Sequence, residues 1–191
     1  MSEIRKPKPY QLAADEKTTL VLVYTANSLI RGEVISKAGL RISIWLRMQG
    51  APEYIHLLKA HVLVFGGGGP ARQMSFSELI VPTAEVVAFH LAPPGQDPMD
   101  YDETEANRVM VPISILVGTF HFDGHMRLSS QSDVATNLNA LRSPWLSLYE
   151  LEIGNPNLPG MGILKVPMTL VRPLHVMIGS NTEIPAPPTT G

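Results

Sequence analysis

Ser28-Leu29-Ile30-Arg31-Gly32-Glu33-Val34-Ile35 reads as a single β-strand with a glycine in its middle. Aliphatic and β-branched residues fill the run, and an interior glycine marks a bulge, a bend or a close backbone approach. At an offset of 92 residues, Phe122-Asp123-Gly124-His125-Met126 puts a second glycine in the same setting. Taken alone, Asp123-Gly124 suggests a hairpin turn. Its counterpart, Arg31-Gly32, lies inside a strand, so both glycines are expected at bends in curved strands. The turns then fall at Ala26-Asn27 and Gly118-Thr119, where turn residues stand in both stretches.

Further matches lie on either side and keep their order. Ala51-Pro52-Glu53-Tyr54-Ile55-His56-Leu57 parallels Ser143-Pro144-Trp145-Leu146-Ser147-Leu148-Tyr149, and Leu79 to His90 parallels Leu164 to His175 at an offset of 85. Between the two sets, Pro93 to Glu105 carries five acids, three prolines and no base, and reads as an exposed linker. The sequence therefore predicts an internal duplication. Its parts are an N-terminal tail over 1–17, a first repeat over 18–92, an acidic proline-rich linker over 93–108, a second repeat over 109–180 and a proline-rich tail over 181–191.

The shared unit runs strand, turn, bent strand, short helix, strand, loop, strand, tight turn, strand. The helices are expected near Ile42 to Gln49 and Asp133 to Leu141, each ending ahead of Pro52 or Pro144. The third strands are expected at Tyr54 to Phe65 and Trp145 to Ile153. The last two strands of each repeat are expected to flank Val81-Pro82-Thr83-Ala84 or Val166-Pro167-Met168-Thr169. The fold class is mainly β: two tandem five-stranded barrel-like domains, each with one short helix between strands two and three.

Five short strands, a glycine in a strongly bent second strand and a brief break between the last two strands resemble the Sm-like barrels. Gly32 and Gly124 stand where that family has its strand-two glycine. The pattern is also similar to uncharacterised bacterial domains with a helix between strands two and three. The resemblance covers about Thr18 to Ala92 and Val109 to Gly179. It departs from the family at the start, where proline breaks residues 1–17 in place of a helix. It departs again at the final turns, which lack the family's RNA-contacting residues. The resemblance implies a shape and not RNA binding.

The 191 residues include 15 Lys+Arg against 17 Asp+Glu, a formal charge of −2, so no basic footprint points to nucleic acid. There is no cysteine, hence no disulfide, thiolate zinc site or cysteine nucleophile. No apolar run is long enough for a membrane span, and a cytoplasmic protein without a cofactor is expected. His121, Asp123 and His125 alternate onto one strand face and are the candidate metal ligands; the plain alternative is a polar face opposite Phe120, Phe122 and Met126. Gly66 to Gly69 lacks the Lys-Ser/Thr and helix of a phosphate loop. His90 and His175 align, and are expected to bond backbone carbonyls at the ends of the last strands. Glu150 and Glu152 read as a solvated edge.

Apolar residues in the third strands exceed what one buried face requires under strict alternation. Leu57, Leu58, Val62 and Leu63, with Leu146, Leu148 and Tyr149, are therefore the interface candidates. The function expected is a non-catalytic protein-interaction or assembly module, with itself or another protein as partner. The alternatives are a small-ligand or nucleic-acid binder using the loops near Gly66 or Gly154, and a metal-dependent enzyme at His121, Asp123 and His125.

Overall fold

The computed structural model describes residues 8–66 and 69–180. Residues 1–7 of the N-terminal tail, the centre of the Gly66 to Gly69 loop and the C-terminal tail over 181–191 lie outside them, and the last two residues of the expected N-terminal tail already belong to β1. The first half carries β1 (Glu16–Tyr24), β2 (Ser28–Lys37), helix α1 (Ile42–Trp45), β3 (Tyr54–Val64), β4 (Arg72–Pro82) and β5 (Ala88–Leu91). The second carries β6 (Arg108–Val117), β7 (Phe120–Ser129), α2 (Val134–Ala140), β8 (Leu146–Gly154), β9 (Leu164–Val171) and β10 (Met177–Gly179).

These strands form one open antiparallel sheet and not two closed barrels. Its order is β10-β6-β7-β8-β9-β5-β1-β2-β3-β4. Within it the first half reads β5-β1-β2-β3-β4 and the second β10-β6-β7-β8-β9, the same order in each. The halves meet where β5 pairs with β9, Ala88 opposite Val171 and Phe89 opposite Leu170. On its other side β5 pairs with β1.

Both central glycines sit at bulges. Pairing of β2 with β3 shifts register between Arg31 and Glu33, and pairing of β7 with β8 shifts between Asp123 and His125. The extra residues opposite are Lys59 (φ 50°) and Glu150 (φ 51°), each in the left-handed region. A Cβ on Gly124 would lie 2.9 Å from both the Tyr149 carbonyl oxygen and Leu151 Cγ; on Gly32 it would lie 3.3 Å from the Leu58 carbonyl oxygen. Backbone approach thus requires glycine at 124 more strictly than at 32.

The bulges also explain where the expected apolar surplus goes. Ile55 and Leu57 bury on one face of β3, Lys59 resets the phase, and Ala60 and Val62 bury on that same face. In β8 Leu146 and Leu148 precede Glu150, and Leu151 and Ile153 follow. A period of two holds on either side of each bulge but not across it.

Two expectations change in detail. Helix α1 is a single turn, closed soon after by Gly50 at φ +83°. The 85-residue match is out of structural register. Pro82 ends β4 before a 3-10 turn at Thr83–Glu85, whereas Pro167 lies inside β9 and the matching turn is Pro173–His175. Pro167 sits opposite the bulged Glu150, between the Tyr149–Met168 and Leu151–Val166 pairs, a place where a strand tolerates proline. Helix α2 has a side-chain cap: Thr136 N–H donates to Asp133 (2.7 Å).

Two apolar cores form, and each draws on both halves. Tyr24, Leu29 and Ala88 join Phe122, Leu148 and Ile153 in one. Trp145 and Leu170 join Val34, Leu57 and Phe89 in the other. Beside the joint, His90 is 2% exposed. Its Nδ1–H donates to the Leu91 carbonyl (2.7 Å), so Nε2 accepts from the Tyr24 hydroxyl (3.1 Å). His175 differs: it is exposed in the 3-10 turn before β10.

Two outcomes follow from the fold. Gly124→Ala should lose about 1–3 kcal/mol of unfolding free energy in urea titrations, more than Gly32→Ala; equal losses would contradict the packing described. Burial depresses the His90 imidazole from 6.5 to about 4, partly offset by the Leu91 carbonyl. The unfolded chain binds this proton near its ordinary value while the folded chain resists it. Stability from this residue is thus present above pH 6.5 and is lost as pH falls toward 4, by about 3 kcal/mol. Urea unfolding at pH 7.5 and 4.5 should show this loss in the native chain and a smaller one in His90→Gln.

Candidate functional site

The joint between the halves carries the densest polar network in the described residues. The reason starts in the linker. Asp100 has a side chain only 9% exposed and sits 2.6 Å from Nη1 of Arg47, which follows α1. It also accepts hydrogen bonds from Ser147 Oγ (2.6 Å) and the Tyr149 hydroxyl (2.6 Å), both on β8. One carboxylate thereby ties the end of α1 to β8 in the other half. Arg47 completes the tie through the Ser43 carbonyl (3.0 Å) and Ser147 Oγ (3.0 Å).

Its neighbours in the linker do the same work. Asp97 accepts from Ser43 N–H (3.1 Å) and Oγ (2.9 Å) at the start of α1, which has no cap of its own. Tyr101 packs edge-on against Tyr149 (4.9 Å between centroids) and lies under the Arg127 guanidinium (4.7 Å). Glu105 pairs with Arg127 (2.6 Å) and Arg108 (2.9 Å). Of the five acids read as an exposed stretch, Asp97, Asp100 and Glu105 reach the body of the fold, and Asp102 binds Thr104 within the linker.

These contacts line a cleft of about 610 Å³, with Arg47, Asp100, Tyr101, Arg127, Ser147 and Tyr149 on its walls. Burial alone would raise the Asp100 carboxyl. The hydrogen bonds from Ser147 and Tyr149 and the charge of Arg47 outweigh it and hold the group below the ordinary carboxylate range. The Tyr149 phenol moves up, through burial and then its bond to Asp100. A carboxylate saturated by donors is a weak proton acceptor, so this arrangement anchors chain segments to one another.

A second cleft of about 730 Å³ adjoins the first, sharing Arg47, Met48, Ser143 and Trp145 with it. Here Arg172, just past β9, lies over the Trp145 ring (4.6 Å) and donates from Nη2 to the Thr83 carbonyl (2.9 Å). Trp145 is 2% exposed and belongs to the core shared with β1 to β3.

Of the residues singled out from sequence, Tyr149 belongs to this network, and the others lie elsewhere or serve packing. His121 faces Asp123 (3.4 Å), whereas His125 lies on the far side of the Gly124 bulge, against Glu150 (3.4 Å). The trio shares the face of β7 opposite the buried Phe120, Phe122 and Met126, yet no group of three His, Asp or Glu side chains that could hold a metal converges among the described residues. Leu57 and Val62 lie in one core, Leu146 and Leu148 in the other, and Leu63 packs against the latter. Leu58 is half-buried and Tyr149 is buried beside Tyr101. Glu150 is open to solvent, and Glu152 pairs with Lys165 (2.8 Å). Gly66, at φ +150°, leads into the undescribed part of its loop, and Gly154 ends β8.

Sequence reading missed Asp100, Arg47, Arg172 and Trp145 as a set. Asp100 and Arg47 are 53 positions apart, and no short motif spans such a distance. The only signal was aromatic: Tyr101 within the acids, and Trp145 beside Pro144. No helix among the described residues is long and apolar enough to cross a membrane. Compared with known proteins, the chain matches no family model, no curated protein and no solved structure.

Asp100→Asn keeps the shape of the side chain but removes its charge from Arg47. It should cost about 1–3 kcal/mol in chemical denaturation and speed proteolysis within residues 93–108. Unchanged stability together with an unchanged first cleavage site would show that the linker is held without it.

Proposed function

We propose that this chain is a non-catalytic assembly module, two fused copies of one five-stranded unit similar in form to the Sm-like barrels. The observation that carries the reading is the β5·β9 joint together with the two strands left at the ends of the sheet. Counting outward from the paired bulges, β4 is the counterpart of β9 and β10 the counterpart of β5. The free edges of β4 and β10 are thus the same two surfaces that already join inside the chain. One chain's β4 and the next chain's β10 would repeat that joint and link copies head to tail.

The register of such a joint follows from the internal one. Ala88 opposite Val171 and Phe89 opposite Leu170 become Met177 opposite Val81 and Ile178 opposite Ile80. Thr83 N–H donates back to the Glu53 carbonyl (2.8 Å). Alternation along β4 then turns the Ile80 N–H away from β3 and toward an incoming strand. Inside the chain Arg172 N–H extends the joint to the Val87 carbonyl (2.8 Å). Its counterpart Pro82 has no N–H, so pairing between copies ends there.

Light scattering across a concentration series tests the reading. The native chain should associate beyond a single copy. Ile80→Pro, which removes the outward donor on an edge strand without deleting a bond to β3, should remain one copy while melting within a few degrees of the native chain. A native chain that stays monomeric at every concentration would overturn self-assembly.

A further inference from the structure

The two clefts at the joint differ in one electrostatic respect. In the first, Arg47 faces Asp100, and Arg108 and Arg127 face Glu105. In the second, Arg142 and Arg172 also line the wall, and neither forms an ion pair with any described acid. Glu53 is the one acid on that wall and makes no salt bridge there. A partly buried guanidinium without a counter-charge is electrostatically unfavourable, because desolvation penalises the charged form. The Arg172 guanidinium is accordingly pushed below its usual range by burial.

Arg172 is also held in place before any ligand arrives. Trp145 stacks on its plane and Thr83 takes Nη2, while Nη1 makes no bond among the described residues. The repeated architecture does not require the Arg172 cation. By the correspondence of bulges and strands, Pro82 stands in the first half where Arg172 stands in the second, so that position is kept there with no charge.

We propose that this cleft binds a small organic oxyanion, with Arg142 and Arg172 on the anionic group and an apolar body lying along Met48, Pro52 and Tyr54. The guanidinium pair sets the charge of the ligand, and Arg172 supplies planar donors suited to a phosphate or a carboxylate. The volume of about 730 Å³ exceeds what a bare anion fills. Tyr54, 56% exposed, and Met48, 44% exposed, offer apolar surface beside the charge. Both halves contribute: Arg142, Trp145 and Arg172 come from the second, and Pro52, Tyr54 and Thr83 from the first. A ligand there spans the joint.

Calorimetric titration of the full chain with phenyl phosphate, benzoate and neutral phenol tests this. At least one of the two anions should bind, with phenol weaker, and the stronger anion reveals whether phosphate or carboxylate is preferred. Arg142→Ser alters an exposed side chain that makes no hydrogen bond among the described residues, so its fold should be intact. Its affinity should fall by at least about tenfold, the loss of one charged contact. Arg172→Gln should weaken binding as much or more. The proposal is overturned if neither anion binds, if phenol binds as well as the anions, or if Arg142→Ser binds like the native chain.

Discussion

The four residues of β5 carry the constraint on which the rest of this molecule depends. They hydrogen-bond to β1 of their own half and to β9 of the other, making one sheet out of two sets of five strands. Once the joint is formed, side chains from each half fall within reach of the other's apolar residues. Trp145 enters the core beneath β1 to β3, and Tyr24 enters the core beneath β6 to β9. Two five-stranded units separately would each leave an edge and part of an apolar face open to water; the joint covers both at once. Asp100 strengthens the arrangement from outside the sheet, holding α1 to β8 through Arg47, Ser147 and Tyr149.

The paired bulges show how one local device shapes both halves without fixing their surfaces. Gly32 and Gly124 admit the opposite strand closely, and Lys59 and Glu150 take up the extra residue in the left-handed region. Charges around them differ. Glu33 pairs with Lys59 (2.9 Å) in the first half, and His125 faces Glu150 in the second. Backbone geometry recurs because sterics at the crossing demand it. Solvent-facing side chains vary because little depends on their sign.

Charge is distributed unevenly around the joint itself. The linker brings acids to the arginines of one cleft and leaves the neighbouring cleft without them. That difference separates an anchoring network, closed on itself, from the surface on which Arg142 and Arg172 stand. The two clefts share Trp145, which is both a core residue and the platform under Arg172. Packing and recognition are therefore coupled at this position.

Local patterns in the chain determined the elements. Apolar alternation marked the strands, Gly32 and Gly124 marked the bends, Asp133 marked a helix start, and the proline-rich acidic run marked the crossing between halves. Each of these depends on residues a few positions apart, so the sequence displays it directly. Tertiary structure alone decided how far the pattern extends. Bulges at Lys59 and Glu150 interrupt the period of two, and this is why the apolar excess in β3 and β8 could not be read through them. Pro167 likewise looked like a turn because a bulge on the facing strand is not visible from its neighbours in sequence. Closure, too, was undecidable from one strand at a time: whether β5 turns back within its half or pairs onward to β9 depends on pairing between residues 81 positions apart or more. The joint, the Asp100 clasp and the cleft beside Trp145 all arise from contacts between residues far apart in the chain, and only the folded chain brings them together.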